Sequence, residues 1–351
     1  MLITLLLLTV IISPVAIFVL NQPKFGKIPR GKSLKRIKQS PNFRNGQFQN
    51  LHETPRIVCD DNSDLFKILL RFVFGKTNPG SVPENAMKTL KTDLRQLSKN
   101  ENVLVWFGHS SYFMQIDGKR FLVDPVFFDA APFRWINKAF KGTRKFRVKD
   151  LPDIDCYLIT HDHWDHLDWN VVKRIKNRTK TFVCGLGVGA HLEYWGVNPQ
   201  KIKEMDWGES IDLENFRLHC TPARHFSGRG LRSNRSLWCS FLLETPSLNL
   251  FLSGDGGYDS HFAEIGKRFH IDWAILENGQ YNERWRFIHT MPDELAKEAK
   301  ELKAKHILTV HHSKYALSEH DWDEPLKNEA ALEKQGLPIV HAIIGEKVAL
   351  T

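Results

Sequence analysis

The sequence predicts an α/β protein in which strands and helices form a layered sandwich. Apolar runs of strand length recur between residues 103 and 310, and several of them end in a polar loop. A segment with helical spacing, Pro292 to Ala304, separates the last two of these strands. The chain has 351 residues, of which 42% are hydrophobic and 25% charged, so one large or two ordinary globular domains are expected.

The first element of the chain is an apolar run from Leu2 to Leu20, long enough to cross a bilayer as a helix. We expect residues 1–20 to be an uncleaved transmembrane anchor. A cleaved signal peptide is the alternative, but no basic residue precedes the run and no small-x-small cleavage site follows it before Asn21.

A basic segment follows the apolar run. Residues 21–56 contain nine Lys and Arg against one acid, Glu53, and so carry +8 of the net charge of +9. Since the remainder of the chain is nearly neutral, the sequence argues against a nucleic-acid surface. We expect a juxtamembrane segment that meets anionic lipid headgroups, with the following domain on the cytoplasmic side; a solvated linker is the alternative.

The next elements are two candidate helices and a series of strands. Residues 64–74 form either an interfacial helix or a core helix. A second helix is predicted from Ser81 to about Asn102, because apolar residues recur at spacings of three and four. The predicted strands are Val103–Trp106, Tyr112–Ile116, Arg120–Val123, Cys156–Thr160, Thr181–Cys184, Phe216–Cys220, Ser236–Leu243, Leu248–Ser253, Trp273–Leu276 and Ile307–Val310.

The cysteines and an aromatic, basic segment are two further features of the composition. The five cysteines are widely spaced, and three lie in strand-like runs, which indicates reduced core residues. Residues 126–149 mix aromatic and basic side chains. This mixture suits contact with a lipid, and it also suits burial in a homodimer interface.

The stretch from His161 to Asp168 is rich in potential metal ligands, since it contains three histidines and three aspartates. It follows the predicted strand Cys156–Thr160 and precedes a predicted helix, Trp169 to Ile175. Ligands in open α/β sheets bind at the carboxyl ends of strands, and His and Asp are the usual donors to zinc-like cations. His161 and His163 can face one ion, and Asp165 with His166 can face a second.

Three further candidates follow later strands: His225, Asp255 and His311. Each alone is more often a turn or capping residue, but together after the histidine cluster they indicate a metal site. His312 is a rival for His311, and His219 is a weaker rival for His225.

The order of these residues resembles the metallo-β-lactamase superfamily, and it implies an αββα sandwich with metals at one edge. Within that superfamily the chain is similar to the branch that hydrolyses N-acyl-phosphatidylethanolamine as a phospholipase D, from about residue 39 to the C-terminus. The motifs that carry this similarity are Val105-Trp106-Phe107-Gly108-His109-Ser110, Phe121-Leu122-Val123-Asp124-Pro125, Asp165-His166-Leu167-Asp168, Gly254-Asp255-Gly256-Gly257-Tyr258 and His311-His312-Ser313-Lys314-Tyr315. The domain expectation is thus an anchor at 1–20, a basic segment at 21–56 and a hydrolase domain at 57–351.

The resemblance also implies a dinuclear zinc centre, although His and Asp ligands admit other divalent ions. It implies one zinc on His161, His163 and His225, the other on Asp165, His166 and His311, and Asp255 as the bridge. Asp165 and Asp255 are the implied catalytic residues, while His109 and His289 are candidates for orienting substrate or ligands. The N-terminal anchor and the residues Asp162 and Trp164 depart from the branch, which leaves the substrate open.

The function that follows is a membrane-anchored phosphodiesterase on phospholipids such as N-acylated phosphatidylethanolamine. A paired metal centre can lower the pKa of water from about 15.7 toward neutrality, so no Ser or Cys nucleophile is needed. The first alternative is a hydrolase of the same fold acting on a soluble lactone or cyclic phosphate. The second is a membrane-associated protein without catalytic activity.

Overall fold

Two mixed β-sheets form the centre of the protein in a computed structural model that describes residue 14 and residues 16–58, 78–128 and 130–351. One sheet has seven strands in the order β15-β3-β4-β5-β6-β7-β8, and the other has six in the order β14-β13-β12-β11-β10-β9. The strands are β3 (Val103–Trp106), β4 (Tyr112–Ile116), β5 (Lys119–Val123), β6 (Ile154–Ile159), β7 (Thr179–Gly185), β8 (Ile202–Met205), β9 (Ser210–Leu213), β10 (Phe216–Thr221), β11 (Ser240–Glu244), β12 (Asn249–Leu252), β13 (Trp273–Glu277), β14 (His306–Val310) and β15 (Lys347–Ala349).

The two sheets pack face to face, and successive side chains along a strand point alternately to the inner core and to the outer face. On β4, Tyr112, Met114 and Ile116 enter the core between the sheets, whereas Phe113 points to the outer face. The inner core takes apolar residues from strands of both sheets, and all of them are buried. A period of two along each strand therefore supplies two apolar faces per sheet, and both faces have to be covered.

Helices cover the two outer faces and complete a four-layer αββα sandwich. On the seven-stranded sheet lie α2 (Trp169–Ile175) and α3 (Gly189–Tyr194), and on the six-stranded sheet lie α4 (His261–Arg268), α5 (Pro292–Leu302) and α6 (Glu324–Lys334). The amphipathic helix α5 shows the principle, since Leu295, Ala299 and Leu302 pack on one face against the sheet. The predicted layered α/β architecture is confirmed.

The basic segment packs onto this sandwich, and its contacts begin at Pro23, whose carbonyl accepts from Trp195 Nε1 at 2.7 Å. It contains α1 (Gly31–Ile37) and a hairpin of β1 (Phe43–Arg44) and β2 (Gln47–Phe48). Ile37 and Phe48 are fully buried in a small apolar cluster with Leu186, Leu237 and Trp238. Apolar anchors thus hold a segment that carries nine basic side chains.

The expected transmembrane helix falls almost entirely outside the described residues, since only residue 14 and residues 16–20 of the run are described. Among the described residues, no helix combines the length and the apolar character needed to cross a membrane. The candidate helix at residues 64–74 lies in the gap between residues 58 and 78.

The helix predicted from Ser81 to Asn102 is wrong. The structure has a 3-10 turn at Pro79–Ser81 and then an irregular strap, residues 82–98, that contains an isolated turn from Asp93 to Gln96 and no helix. The strap gives its backbone N–H groups to other segments: Met87 donates to Lys141 and Leu90 to Ile344. Leu94 and Leu97 are buried against the seven-stranded sheet, so the apolar spacing reflects tertiary packing of an extended chain.

Other sequence predictions agree more closely with the structure. Cys156, Cys184, Cys220 and Cys239 are buried free thiols. In the segment 126–149, Phe140 and Phe146 are buried, whereas Trp135 is 59% exposed and stacks with Phe133. Part of this aromatic segment is therefore core, and its contact with lipid or with another chain stays a prediction.

Candidate metal centre

The predicted site residues meet at one edge of the sandwich because the strands before them end there. β12, β13 and β14 are parallel, and β10 runs in the same direction as β12 through the antiparallel β11. Their carboxyl ends bring His225, Asp255 and His311 to the same rim. The loop after β6 of the other sheet brings His161 to Asp168 to that rim as well.

The first group of donors consists of three imidazoles, His161, His163 and His225. His163 Nδ1 lies 2.9 Å from His161 Nε2 and 3.2 Å from His225 Nε2. Donor atoms this close leave room for one cation that all three can coordinate.

The second group consists of Asp165, His166 and His311. Asp165 Oδ2 lies 3.7 Å from His166 Nε2 and 3.5 Å from His311 Nε2. His109 belongs to the same group, since its Nε2 is 2.9 Å from Asp165 Oδ2. One carboxylate oxygen is therefore shared by three surrounding histidines.

Asp255 lies between the two groups. Its Oδ2 atom is 3.0 Å from His166 Nε2, 4.0 Å from His161 Nε2 and 3.9 Å from His225 Nε2. Its Oδ1 atom is 3.2 Å from His311 Nδ1. A carboxylate placed in this way can contact a cation in either group.

Neighbouring acceptors hold one nitrogen of each of three imidazoles and so direct the other nitrogen into the site. Nδ1 of His225 is 2.7 Å from the carbonyl of Ile288, and Nδ1 of His166 is 2.8 Å from Asp124 Oδ2. Nδ1 of His311 is 2.8 Å from Glu277 Oε1. In the neutral ring a donated Nδ1–H fixes the tautomer, so Nε2 of each ring then carries the lone pair that a metal requires.

The donor set fits a pair of divalent cations. Among the described residues, no hydrogen-bond partner is found for His166 Nε2, His311 Nε2 or Asp255 Oδ1, although all three atoms are buried. Buried polar atoms are normally satisfied, because an unsatisfied one costs about 1–3 kcal/mol. Buried imidazole and carboxylate atoms that face one another without hydrogen-bond partners are the donor atoms that a metal centre needs.

Burial and neighbouring charges shift the pKa values of the candidate ligand histidines in the two groups in opposite directions. Burial lowers the pKa values of His161 and His225 well below the usual imidazole value and that of His163 to about 4, so these rings are neutral donors at pH 7. Burial acts in the same direction on His166 and His311, but the adjacent Asp255 raises both pKa values, that of His311 to about 10. The carboxylates of this group supply negative charge that a cation would balance.

Two residues of the site were missed by the sequence reasoning. Glu277, the last residue of β13, accepts hydrogen bonds from His289 and His311, and Asp124 also accepts from Thr160 N at 2.9 Å. Both are buried acids at the ends of apolar strands. An acid at the end of an apolar strand could have identified both residues from the sequence, because a buried charge needs a partner close by.

The rival histidines do not join the centre. His312 Nε2 lies 3.1 Å from Thr309 Oγ1, and His219 pairs with Glu244 across β10 and β11. His289, in contrast, is close to it: its ring centroid is 5.2 Å from that of His225 and 5.3 Å from that of His311.

Arg229 holds the loop that carries the histidines. Its buried guanidinium donates to the carbonyls of Asp162 at 2.9 Å and Leu167 at 2.7 Å, and also to that of Lys24. It stacks over the ring of Trp164, 4.1 Å from the centroid. One side chain thus ties the histidine loop to the N-terminal segment.

Comparison with known proteins agrees with the geometry. Residues 119–312 match the model of the beta-lactamase superfamily domain. The chain is 32% identical to an uncharacterized protein of Mycobacterium tuberculosis over 317 residues, which are 88% of this chain and 84% of the relative. It is also 32% identical to N-acyl-phosphatidylethanolamine-hydrolyzing phospholipase D 1 of Caenorhabditis elegans over 232 residues, covering 60% of this chain and 64% of that protein.

A solved structure shares the fold. Igni18, a metallo hydrolase of the archaeon Ignicoccus hospitalis, superimposes with a TM-score of 0.56 over 72% of this chain and 99% of its own, at 19% identity. At this level of identity the likeness concerns the arrangement of the layers.

Proposed function

This chain belongs to the metallo-β-lactamase superfamily and is a hydrolase, and from that premise we propose that it is a metal-dependent phosphodiesterase of the phospholipase D type. Its proposed substrate is N-acylated phosphatidylethanolamine or a similar glycerophospholipid. The observation that carries the proposal is the position of Asp255 between two groups of donors. The proposed ligands are His161, His163 and His225 in one group, Asp165, His166 and His311 in the other, and Asp255 in both.

Two zinc ions are the proposed cofactor. Bound in such a centre, divalent cations supply Lewis acidity toward phosphate oxygens and a water of lowered pKa as the nucleophile. The chain's own part is positional: Asp124, Glu277 and the Ile288 carbonyl hold the imidazole rings in register. Iron and manganese accept the same donors, so metal analysis of the purified protein decides the identity of the ions.

Residues around the ligands are proposed to manage protons and orientation. His109 holds Asp165 Oδ2 at 2.9 Å, which leaves Asp165 placed to accept a proton from the nucleophile. His289 is anchored at Nδ1 by Glu277 and is only half-buried. We assign it the orientation of the substrate phosphate or of the leaving group.

The substrate class rests on the phospholipase D relative and on charge near the centre. A cavity of about 670 Å³ lies beside His225, and Arg44 and Arg56 contribute to its lining. Cationic side chains at this place suit the negative phosphodiester. Membrane association, with the catalytic domain facing the cytoplasm, is part of the proposal and is supported by the basic segment 21–56. A homodimer stays a prediction.

The test is a panel of phospholipids incubated with wild-type protein and with Asp255→Ala, with products identified by mass spectrometry. We expect phosphatidic acid and the released N-acylethanolamine from the wild type. We expect a loss of at least about 100-fold in kcat for Asp255→Ala, since a carboxylate shared by both groups is removed.

Asp153→Ala is the matched control, because Asp153 is an exposed acid away from the rim. It should retain wild-type activity. Wild-type protein with full metal occupancy that leaves every phospholipid intact while it hydrolyses a soluble lactone or cyclic phosphate would refute the proposed substrate class.

A further inference from the structure

A second polar pocket lies next to the loop of the metal centre but takes none of the seven proposed ligands. It has a volume of about 290 Å³ and is bounded by residues 20–30 on one side and residues 229–236 on the other. Asp162 and His191 form part of its lining. The pocket therefore joins the segment that follows the N-terminal apolar run to the loop that carries the histidines.

The pocket carries an excess of positive charge. Lys27, Arg30, Arg232 and Arg235 all line it, and within the described part of the chain no carboxylate pairs with any of the four. The single acid in the lining is already committed, since Asp162 accepts from Gly228 N and Ser236 Oγ, both at 2.7 Å, and pairs with His191. Four cationic residues thus line a cavity whose one carboxylate is already hydrogen-bonded.

One of these cations has a buried atom that lacks a partner. Arg235 Nε is inaccessible to solvent and has no hydrogen-bond partner among the described residues. Arg229, also in the lining, differs because carbonyl groups take its donors. Because Nε is closed off from the cavity, an anion in the pocket would be held by the terminal nitrogens of the Arg235 guanidinium, for which the described residues also supply no acceptor.

Two exposed apolar side chains line the same pocket, and two more precede it in the chain. Leu231, in its lining, is 85% exposed, and Ile28, also in the lining, is 41% exposed. One turn before Leu20, Ile17 and Phe18 are 61% and 71% exposed. Large apolar side chains beside cationic ones are typical of surfaces that rest in the interface of a bilayer.

We propose that this pocket is a second phosphate-binding site, which takes the phosphate of an anionic phospholipid headgroup while Leu231 and Ile28 enter the acyl region. The site is distinct from the metal centre, and its occupancy does not require hydrolysis. Its role rests on the phospholipase function proposed above: it holds the rim of the sandwich against the membrane surface from which the metal centre would draw its substrate.

Thermal unfolding of the full-length metal-loaded protein in zwitterionic detergent tests the proposal, because a ligand of the native state raises Tm. The titrants are dioctanoyl phosphatidic acid, which a phospholipase D does not cleave, dioctanoyl phosphatidylcholine and glycerol 3-phosphate. We expect phosphatidic acid to raise Tm well before glycerol 3-phosphate does. In the Arg232→Gln/Arg235→Gln variant the apparent affinity for phosphatidic acid should fall about 30-fold. Each lost charge is worth about 1 kcal/mol, and roughly 1.4 kcal/mol corresponds to a tenfold change in affinity.

Matched variants separate this site from general charge and from the metal centre. Lys203→Gln/Lys334→Gln removes two exposed charges elsewhere and should bind phosphatidic acid as the wild type does. Arg232→Lys/Arg235→Lys should recover most of the affinity, and Leu231→Ser should weaken binding of the lipid but not of glycerol 3-phosphate. Equal affinity in both double glutamine variants would overturn the site, and equal affinity for lipid and glycerol 3-phosphate would overturn its assignment to a headgroup.

Discussion

The buried carboxylates Glu277 and Glu298 differ in whether neighbouring cations balance their negative charge. Burial alone would raise the pKa of Glu277, but His289 and His311 beside it lower that pKa to about 2. Glu298 on α5 has no such cation, and burial followed by repulsion from Glu277 raises its pKa well above the usual range. It accepts a hydrogen bond from the hydroxyl of Thr290 at 2.7 Å. The charge of Glu298 therefore destabilises the folded state at neutral pH.

We predict that Glu298→Gln stabilises the protein, because the amide keeps the shape and the hydrogen bond without the charge. A raised native pKa means that the penalty is absent below the unfolded-state pKa and grows as pH rises above it. The gain in free energy of unfolding should be near zero at pH 4 and at least about 1 kcal/mol at pH 7. Urea unfolding at several pH values measures it.

Glu193→Gln, at an exposed position on α3, is the control and should leave the pH profile unchanged. A gain for Glu298→Gln that is the same at pH 4 and pH 7 would contradict an origin in the charge of Glu298.

At the scale of elements, the turns after the strands decide the geometry of the centre. His109, Asp124 and His311 have positive φ angles of 56°, 40° and 71°, which is uncommon for residues with a Cβ atom. Each of them is a proposed ligand or contacts one. Local strain at these residues is offset by the surrounding sheets, and it aims the side chains at the rim.

The turn before Asp255 gives a second prediction. Gly254 has φ of 62°, and a Cβ atom there would lie 2.9 Å from Cβ of Thr160, the neighbour of His161. Gly254→Ala should therefore cost about 1–3 kcal/mol of stability and reduce bound metal, because the turn has to move away from the histidine loop. Denaturant unfolding and metal content after desalting provide the two readouts.

Gly208→Ala separates backbone strain from the collision. Gly208 has a similar φ of 85°, but no atom lies within 4 Å of a Cβ atom placed there. It should cost about 1 kcal/mol and leave the metal content unchanged. Equal metal loss in both variants would show that the contact with Thr160 is unimportant.

At the scale of the whole molecule, the candidate metal centre links the two sheets. The histidine loop follows β6 of the seven-stranded sheet, whereas His225, Asp255 and His311 follow strands of the six-stranded sheet. Bound cations would therefore tie together elements that otherwise meet through apolar packing, and binding free energy would appear as stability of the whole fold.

Removal of metal should accordingly lower Tm. Ligand at about 1,000 times its Kd stabilises the native state by about 4 kcal/mol, which corresponds to a shift on the order of 8 °C for a large domain. Differential scanning calorimetry before and after chelation measures it. Zinc, iron and manganese added back one at a time should restore Tm, and the ion that restores both Tm and activity identifies the working cofactor.

Asp255→Ala serves as the internal comparison for that experiment. With a shared carboxylate removed, its Tm should respond less to chelation than that of the wild type. An unchanged Tm of the wild type on complete removal of metal would contradict a link between the sheets through the centre.

Much of the fold was within reach of sequence reasoning, because strands buried on both faces are apolar and end in turns. β3, β4 and β14 lie within a residue of their predicted bounds, and α2 coincides with its prediction. The strap at residues 82–98 was not within reach. Its leucines have helical spacing, but its backbone N–H groups bond to distant segments, and such partners leave no trace in a local window.

The candidate site divides in the same way. The sequence by itself determined the donors, because His, Asp and their positions after apolar strands are local facts, and the resemblance ordered them into two groups. Only the tertiary structure decided how each ring is held, through Glu277, Asp124 and the Ile288 carbonyl, and how Arg229 joins the histidine loop to the N-terminal segment. These contacts span up to about two hundred residues of chain, and they exist only once the two sheets have packed and brought distant polar groups within hydrogen-bond reach.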